Sequence, residues 1–160
     1  MKKDLEKTNV MRILDQKKVA YNHYCYADTD AVNGLEVATT LGQDPNKVFK
    51  TLVTMGGKTK QYYVFVVPVN KELDLKKAAL AVGEKSIEMI KSKDLLNVAG
   101  YIHGGCSPIG MKKLFKTTFH ESALSFDTII FSAGKIGYQV ELSLKDLEKV
   151  IPFQVKDICE

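Results

Sequence analysis

The run Tyr62-Tyr63-Val64-Phe65-Val66-Val67-Pro68-Val69 carries an apolar side chain at every position, yet it is far shorter than the roughly 20 residues of a membrane span. Successive side chains of a strand point to opposite faces, so a strand of this composition must be covered on both sides. Its β-branched and aromatic residues favour the pleated conformation. A chain holding such a segment has to build layers above and below a central strand. Thr51 to Met55 precedes it as a second β-like segment, and Gly56-Gly57 between the two suits a tight hairpin.

Around that hairpin the apolar spacing changes repeatedly between helix and strand. Residues 5–18 place Val10, Met11, Ile13 and Leu14 at helical intervals, and residues 19–26 read as an aromatic-rich strand with Tyr24 and Tyr26 on one face. Ala27-Asp28-Thr29-Asp30 is loop-like. Asn33-Gly34 opens a short helix with Leu35, Ala38 and Leu41 three apart and Gly42 at its end. Asp44-Pro45 is an N-cap with proline at the first helical position. Asp74 caps a further helix that stops at Gly83, and residues 86–97 read as one or two helical turns. Residues 117–120, 128–132 and 137–142 read as strands. Ser143 and Asp146 open a last helix that Pro152 ends. Without a regular βαβ alternation, this mixture predicts a mixed-sheet or barrel-like α/β domain.

At 160 residues the chain is predicted to form one domain, residues 1–160. The net charge of +4 is compatible with an RNA or nucleotide partner but does not argue for one. Cys25, Cys106 and Cys159 are isolated, which excludes a CxxC motif and a disulfide framework and fits a reducing compartment. His23, His103 and His120 lack metal-type spacing, so neither a metal nor another cofactor is expected. Basic residues in Met1–Lys7 have no apolar segment behind them, and a cytoplasmic location is the expectation.

Candidate chemistry gathers in Tyr101-Ile102-His103-Gly104-Gly105-Cys106-Ser107-Pro108-Ile109-Gly110. Such a loop leaves N–H groups at residues 104–107 that could cradle a phosphate or a polarised carbonyl, although Gly/Pro clusters more often mark plain turns. Lys50, at the start of a strand, could present a cation to phosphate or simply reach into water. Tyr24 could stack on a base or be half-buried in its strand. Ser107 lacks the GxSxG context, and Cys106 has no base beside it in sequence, so neither reads as a nucleophile. Gln139 and Glu141 alternate on one face of a strand, where a surface ladder is the default reading.

The ordered set Gly34-Leu35-Glu36-Val37-Ala38, Val48-Phe49-Lys50-Thr51-Leu52, Leu73-Asp74-Leu75-Lys76-Lys77, Gly104 to Gly110 and Gly134-Lys135-Ile136-Gly137 resembles the YbaK/EbsC family, free-standing relatives of the editing domain of prolyl-tRNA synthetase. The resemblance implies a single α/β domain with a mixed, barrel-like sheet surrounded by helices. It implies hydrolysis of mischarged aminoacyl-tRNA, foremost Cys-tRNA(Pro), with the substrate's own thiol attacking the ester. Lys50, Gly104 and Tyr24 match the family's catalytic positions. Asn33, Gly105, Cys106, Ser107, Pro108 and Gln139 match the substrate pocket. Asn33 and Gln139 depart from the cysteine-specific pattern, which leaves alanyl or seryl substrates open, as well as a non-catalytic module binding a nucleotide or the tRNA 3′ end. The partners implied are the 3′ acceptor end of aminoacyl-tRNA and, as a candidate, prolyl-tRNA synthetase, with no membrane or DNA.

Overall fold

A computed structural model describes residues 7–27, 29, 31 and 33–160. Leu5 and Glu6 of the expected first helix, and Asp28 and Asp30 of the expected loop, lie outside them. Helix α1 (Asn9–Gln16) begins where the Thr8 hydroxyl accepts the Met11 N–H at 3.2 Å, and it buries Val10, Met11 and Leu14. Strand β1 (Asn22–Cys25) follows. Helix α2 (Gly34–Leu41) is capped by Asn33, whose side chain accepts the Glu36 N–H at 2.9 Å, and it closes at Gly42. One 3₁₀ turn, Pro45–Lys47 capped by Asp44, feeds β2 (Phe49–Gly56). Then come β3 (Tyr62–Pro68), α3 (Leu75–Val82), β4 (Ile87–Met89) and α4 (Ser92–Ala99). After the glycine loop lie β5 (Lys116–His120), β6 (Ile129–Ser132), β7 (Tyr138–Leu142), the one-turn α5 (Leu144–Leu147) and β8 (Gln154–Lys156).

These strands make two sheets. The larger has the order β4-β2-β3-β5-β8, with β3 antiparallel to β2 and parallel to β5. Its central strand is buried on both faces, as its composition requires. Val64 and Val66 join the main core with α1, β6 and β7, while Tyr63, Phe65 and Val67 pack with Ala78 and Ala79 of α3. The smaller sheet, β1-β7-β6, is antiparallel. One parallel bridge, Val48 to Ile130, joins it to the start of β2. The architecture is the expected mixed α/β domain, built as two bridged sheets instead of one closed barrel. Helix α2 covers the smaller sheet through Ala38, which packs with Val48 and Ile130. Among the described residues no helix is long and apolar enough to cross a membrane.

Three segments differ from the sequence expectation. The hairpin loop starts at Gly57 but is longer than a two-residue turn, running over residues 57–60. Gly56 N–H still reaches Gln61 O at 2.8 Å, and the left-handed residue is Lys60, with φ 63°. The cause is Glu84, whose carboxylate accepts the Tyr63 hydroxyl at 2.7 Å and also the Thr59 hydroxyl, tying the loop to its own strand. Residues 87–89 form β4 instead of helix, because the edge of β2 offers pairing partners and Ile87 is buried there. The last expected helix is a single turn, and beyond Pro152 the chain adds β8 to the edge of β5.

A Cβ at Gly56 would sit 2.4 Å from the Glu84 carboxyl carbon. Gly56→Ala should therefore destabilise the protein by about 1–3 kcal/mol, read by urea denaturation, through forced displacement of that carboxylate. An unchanged midpoint would show that Glu84 yields freely.

Candidate active site

A cavity of about 350 Å³ opens where the N-terminus of α2, the first half of β2 and the glycine loop converge. Its walls include Asn33, Lys50, Thr51, His103, Gly104, Cys106, Ser132 and Gln139. Lys50 arrives there because the 3₁₀ turn delivers the chain directly into β2. Its ammonium lies 3.7 Å from the carboxylate of Glu72, a loose pair with a partner that is 76% exposed, so it contributes little to stability. Asn33 borders the cavity, with its carbonyl oxygen engaged in capping α2.

The loop forms the opposite wall. Gly104 has φ 90°, which a residue with a Cβ adopts only under strain. Gly105 runs so close to the chain at Lys135–Ile136 that an added Cβ would lie 3.2 Å from the Ile136 nitrogen. Tyr101 anchors the far end by donating its hydroxyl to Ile109 O. Of the four N–H groups expected to be free, that of Gly105 is used, donating to Ile102 O at 3.0 Å. Those of Gly104 and Cys106 have no acceptor among the described residues, and both residues border the cavity.

Four expected site residues do not line this cavity. Gly105 is buried behind the wall against residues 135–136. Ser107 is fully buried and its hydroxyl accepts the Ile109 N–H at 3.3 Å, so it shapes the loop from within. Pro108 faces a smaller cavity of about 140 Å³ on the other side, beside Lys112 and Lys113. Tyr24 packs beside the cavity, with its hydroxyl taken by a carboxylate. Its hydroxyl donates to Glu141, which also accepts Thr128 at 2.5 Å and Lys47 at 2.8 Å, while Lys47 donates to Thr128 at 3.1 Å. Burial raises the affinity of Glu141 for a proton, but hydrogen bonds from Lys47, Thr128 and Tyr24 outweigh it and bring the pKa down to about 2.

Gln139 and Glu141 do share a face, but that face is buried under α2 and the 3₁₀ turn, at 5% and 8% exposure, in place of the surface ladder the alternation suggests. The Gln139 carbonyl accepts from the amide of Gln43 at 2.9 Å, and its own NH₂ has no partner among the described residues. Burial pushes the Cys106 thiol up to about 12, so at neutral pH it is a neutral wall group and a poor nucleophile. Sequence reasoning missed Thr51, Ser132 and the Lys47–Thr128 contact. Only the pairing of Ser132 with Gln139 across β6 and β7 brings the former to the cavity.

Residues 30–150 match the family described as the aminoacyl-tRNA editing domain. The chain is 51% identical over 143 residues, covering 89% of this chain and 87% of the relative, to an Enterococcus faecalis protein provisionally named Cys-tRNA(Pro)/Cys-tRNA(Cys) deacylase EbsC. A solved structure, provisionally described as a trans-editing enzyme for prolyl tRNA synthetase, is similar with TM-score 0.79 at 22% identity, over 96% of this chain and 98% of that one. Another, hypothetical protein APE2540, has TM-score 0.82 at 19% identity, over 94% and 99%. The two solved structures share the fold.

The Glu141 network carries a pH signature. Its folded pKa of about 2 lies below the ordinary 4.5, so its stabilisation is complete above about pH 4.5 and is lost as pH falls toward 2. Glu141→Gln should cost roughly 2–4 kcal/mol at pH 7 and progressively less below pH 4. Urea denaturation of both proteins at pH 7 and pH 2.5 checks this. An equal difference at the two pH values would mean that the charge is not what holds the network.

Proposed function

Because the chain belongs to the aminoacyl-tRNA editing domain family, we propose that it is an aminoacyl-tRNA deacylase acting in trans on mischarged tRNA, with Cys-tRNA(Pro) as its foremost substrate. The observation that carries this reading is the convergence on one cavity of the Lys50 cation, the N–H groups of Gly104 and Cys106, which have no acceptor among the described residues, and the buried amide of Gln139. Lys50 at the mouth holds the terminal phosphate or ribose by a charge-assisted hydrogen bond. The ester carbonyl turns to Gly104 and Cys106, whose fixed N–H groups stabilise the negative charge that develops on its oxygen. Asn33 and Gln139 border the aminoacyl side chain.

The reaction needs no protein nucleophile when the substrate brings one. The cysteinyl thiol gives up its proton and its sulfur attacks the ester carbonyl carbon. The bond from that carbon to the ribose oxygen breaks, and the oxygen leaves as the terminal hydroxyl after taking a proton. A thiolactone and free tRNA result, and water then opens the thiolactone. Thiol and ester already belong to one residue, so the protein's part is to hold the sulfur against the carbonyl carbon in the reactive conformer. The high pKa of Cys106 supports this division of labour, because the protein's own thiol is silent at neutral pH.

The deciding experiment follows deacylation of tRNA(Pro) charged with cysteine, alanine or serine. Wild type should hydrolyse the cysteinyl ester fastest, and Lys50→Ala should lower kcat/KM by about 10–100-fold, the worth of one charge-assisted hydrogen bond. Equal hydrolysis by both proteins removes Lys50 from the site, and tight binding of a non-hydrolysable aminoacyl-adenosine without turnover would make the chain a binding module. Faster release of alanine or serine would move the side-chain preference to those substrates. Cys106→Ser should stay within about threefold of wild type, since a thiol protonated at neutral pH offers no thiolate to lose. Abolished activity in that variant would reinstate a thiol enzyme.

A further inference from the structure

Strand β2 is paired with β3 along its whole length, but its other edge is only partly covered. In an antiparallel pair, successive residues turn their N–H and C=O alternately toward and away from the partner. The bond from Val69 N–H to Val48 O at 2.8 Å sets the phase, so Lys50, Leu52 and Thr54 bond toward β3 while Phe49, Thr51 and Val53 turn outward. The bond from Ile90 N–H to Val53 O at 3.4 Å agrees with this phase and marks where the segment entering β4 takes up the edge. At the other end, the bridge from Val48 to Ile130 brings β6 alongside.

Thr51 stands in the gap between these two covers. No strand pairing reaches its outward edge among the described residues, since the register with β4 covers residues 54–56 and the bridge to β6 falls at Val48, and its hydroxyl oxygen is buried and unpartnered. Thr51 lines the cavity. Buried polar groups are rarely left unpaired, so a strand edge that neither cover pairs, inside a cavity, is a place built to be completed by what enters it.

Resting on the deacylase reading above, we propose that the Thr51 backbone docks the part of the substrate that every aminoacyl ester shares. The α-ammonium donates to Thr51 C=O and the ester carbonyl accepts from Thr51 N–H, as one more residue added to the sheet edge. The loop N–H groups of Gly104 and Cys106 approach the same carbonyl oxygen from the other wall and act as charge develops on it. Recognition of the shared group is thereby separated from recognition of the side chain, which belongs to the wall containing Gln139.

The test removes each hydrogen bond in turn. Proline is tolerated at an edge position whose N–H points outward, so Thr51→Pro deletes the donor with least disturbance to the pairing with β3. With folding checked by circular dichroism and thermal melting, Thr51→Pro should lose about 100-fold in kcat/KM on Cys-tRNA(Pro), as expected for a lost carbonyl donor. N-acetylated Cys-tRNA(Pro), which lacks the ammonium, should be cut by wild type at least about tenfold more slowly than the free amine. If Thr51→Pro does not fold, the N-acetylated substrate on wild type decides alone. Unchanged rates with both Thr51→Pro and the N-acetylated substrate overturn the docking, while a wild type active on Cys-tRNA(Pro) and impaired by Lys50→Ala leaves the deacylase reading standing. If wild type releases no amino acid from any of the mischarged tRNAs, the deacylase reading itself falls.

Discussion

Burial of β3 from both faces is the constraint on which the rest of the structure depends. With Val64 and Val66 committed to one core and Phe65 and Val67 to another, β3 takes a strand on each side, β2 antiparallel and β5 parallel. The cost of an unpaired polar backbone inside two layers leaves little freedom here. Strand β2 then has one fully committed edge, and the fate of its other edge decides where chemistry can occur. Strand β4 is only three residues long and covers the far half. The smaller sheet reaches the near end through one bridge. The cavity is what these two partial covers leave open, and the 3₁₀ turn that starts β2 places Lys50 at its mouth.

The second sheet is held to the first by polar contacts as much as by packing. Glu141 gathers Lys47 from the 3₁₀ turn, Tyr24 from β1 and Thr128 from the entry to β6. A carboxylate with that many donors stays ionised even when buried, and each donor belongs to a different segment. The network therefore fixes the turn that positions Lys50 relative to the sheet that carries Gln139. Tyr24 is thereby tied, through Glu141 and Lys47, to the turn that carries Lys50 toward the cavity.

Local signals in the sequence carried most of the framework. Asn33, Asp44, Asp74 and Ser143 each cap the element they precede, because capping is a short-range bond between a side chain and N–H groups two or three residues on. The doubly apolar run of β3 gave its central place by the same local logic. What escaped depends on contacts between distant segments. Residues 87–89 hold no strong strand pattern and become β4 only because β2 offers an edge. The hairpin turn is set by Glu84, which lies more than twenty residues beyond it. In the site, Lys50, Gly104, Asn33, Cys106 and Gln139 come together as the motif order suggests. Ser107 and Pro108 belong to the same motif but work inside the loop, since a turn this tight must bury some of its own members. Thr51 could not be singled out, because its importance lies in which way its backbone points, a phase fixed by Val69 and Ile90.

An ester is already an activated acyl group, so what a deacylase of this kind must supply is position and a few aligned dipoles. Backbone groups suit that task better than flexible side chains, because they lose no rotamer freedom on binding and the fold has already fixed their direction. The cavity offers them from two independent sources. Thr51 lies on a strand held by the two cores, and Gly104 and Cys106 lie on a loop held by Tyr101 and by its close approach to residues 135–136. Each source is rigid for its own reason, so their separation is set by the packing of the domain and not by either segment alone. Under the proposed function, selectivity for the side chain varies at Asn33 and Gln139 without disturbing the groups that would hold the ester. In that reading one framework accepts different amino acids by changing two walls, which accounts for a site whose framework groups follow the family motif while its pocket residues depart from it.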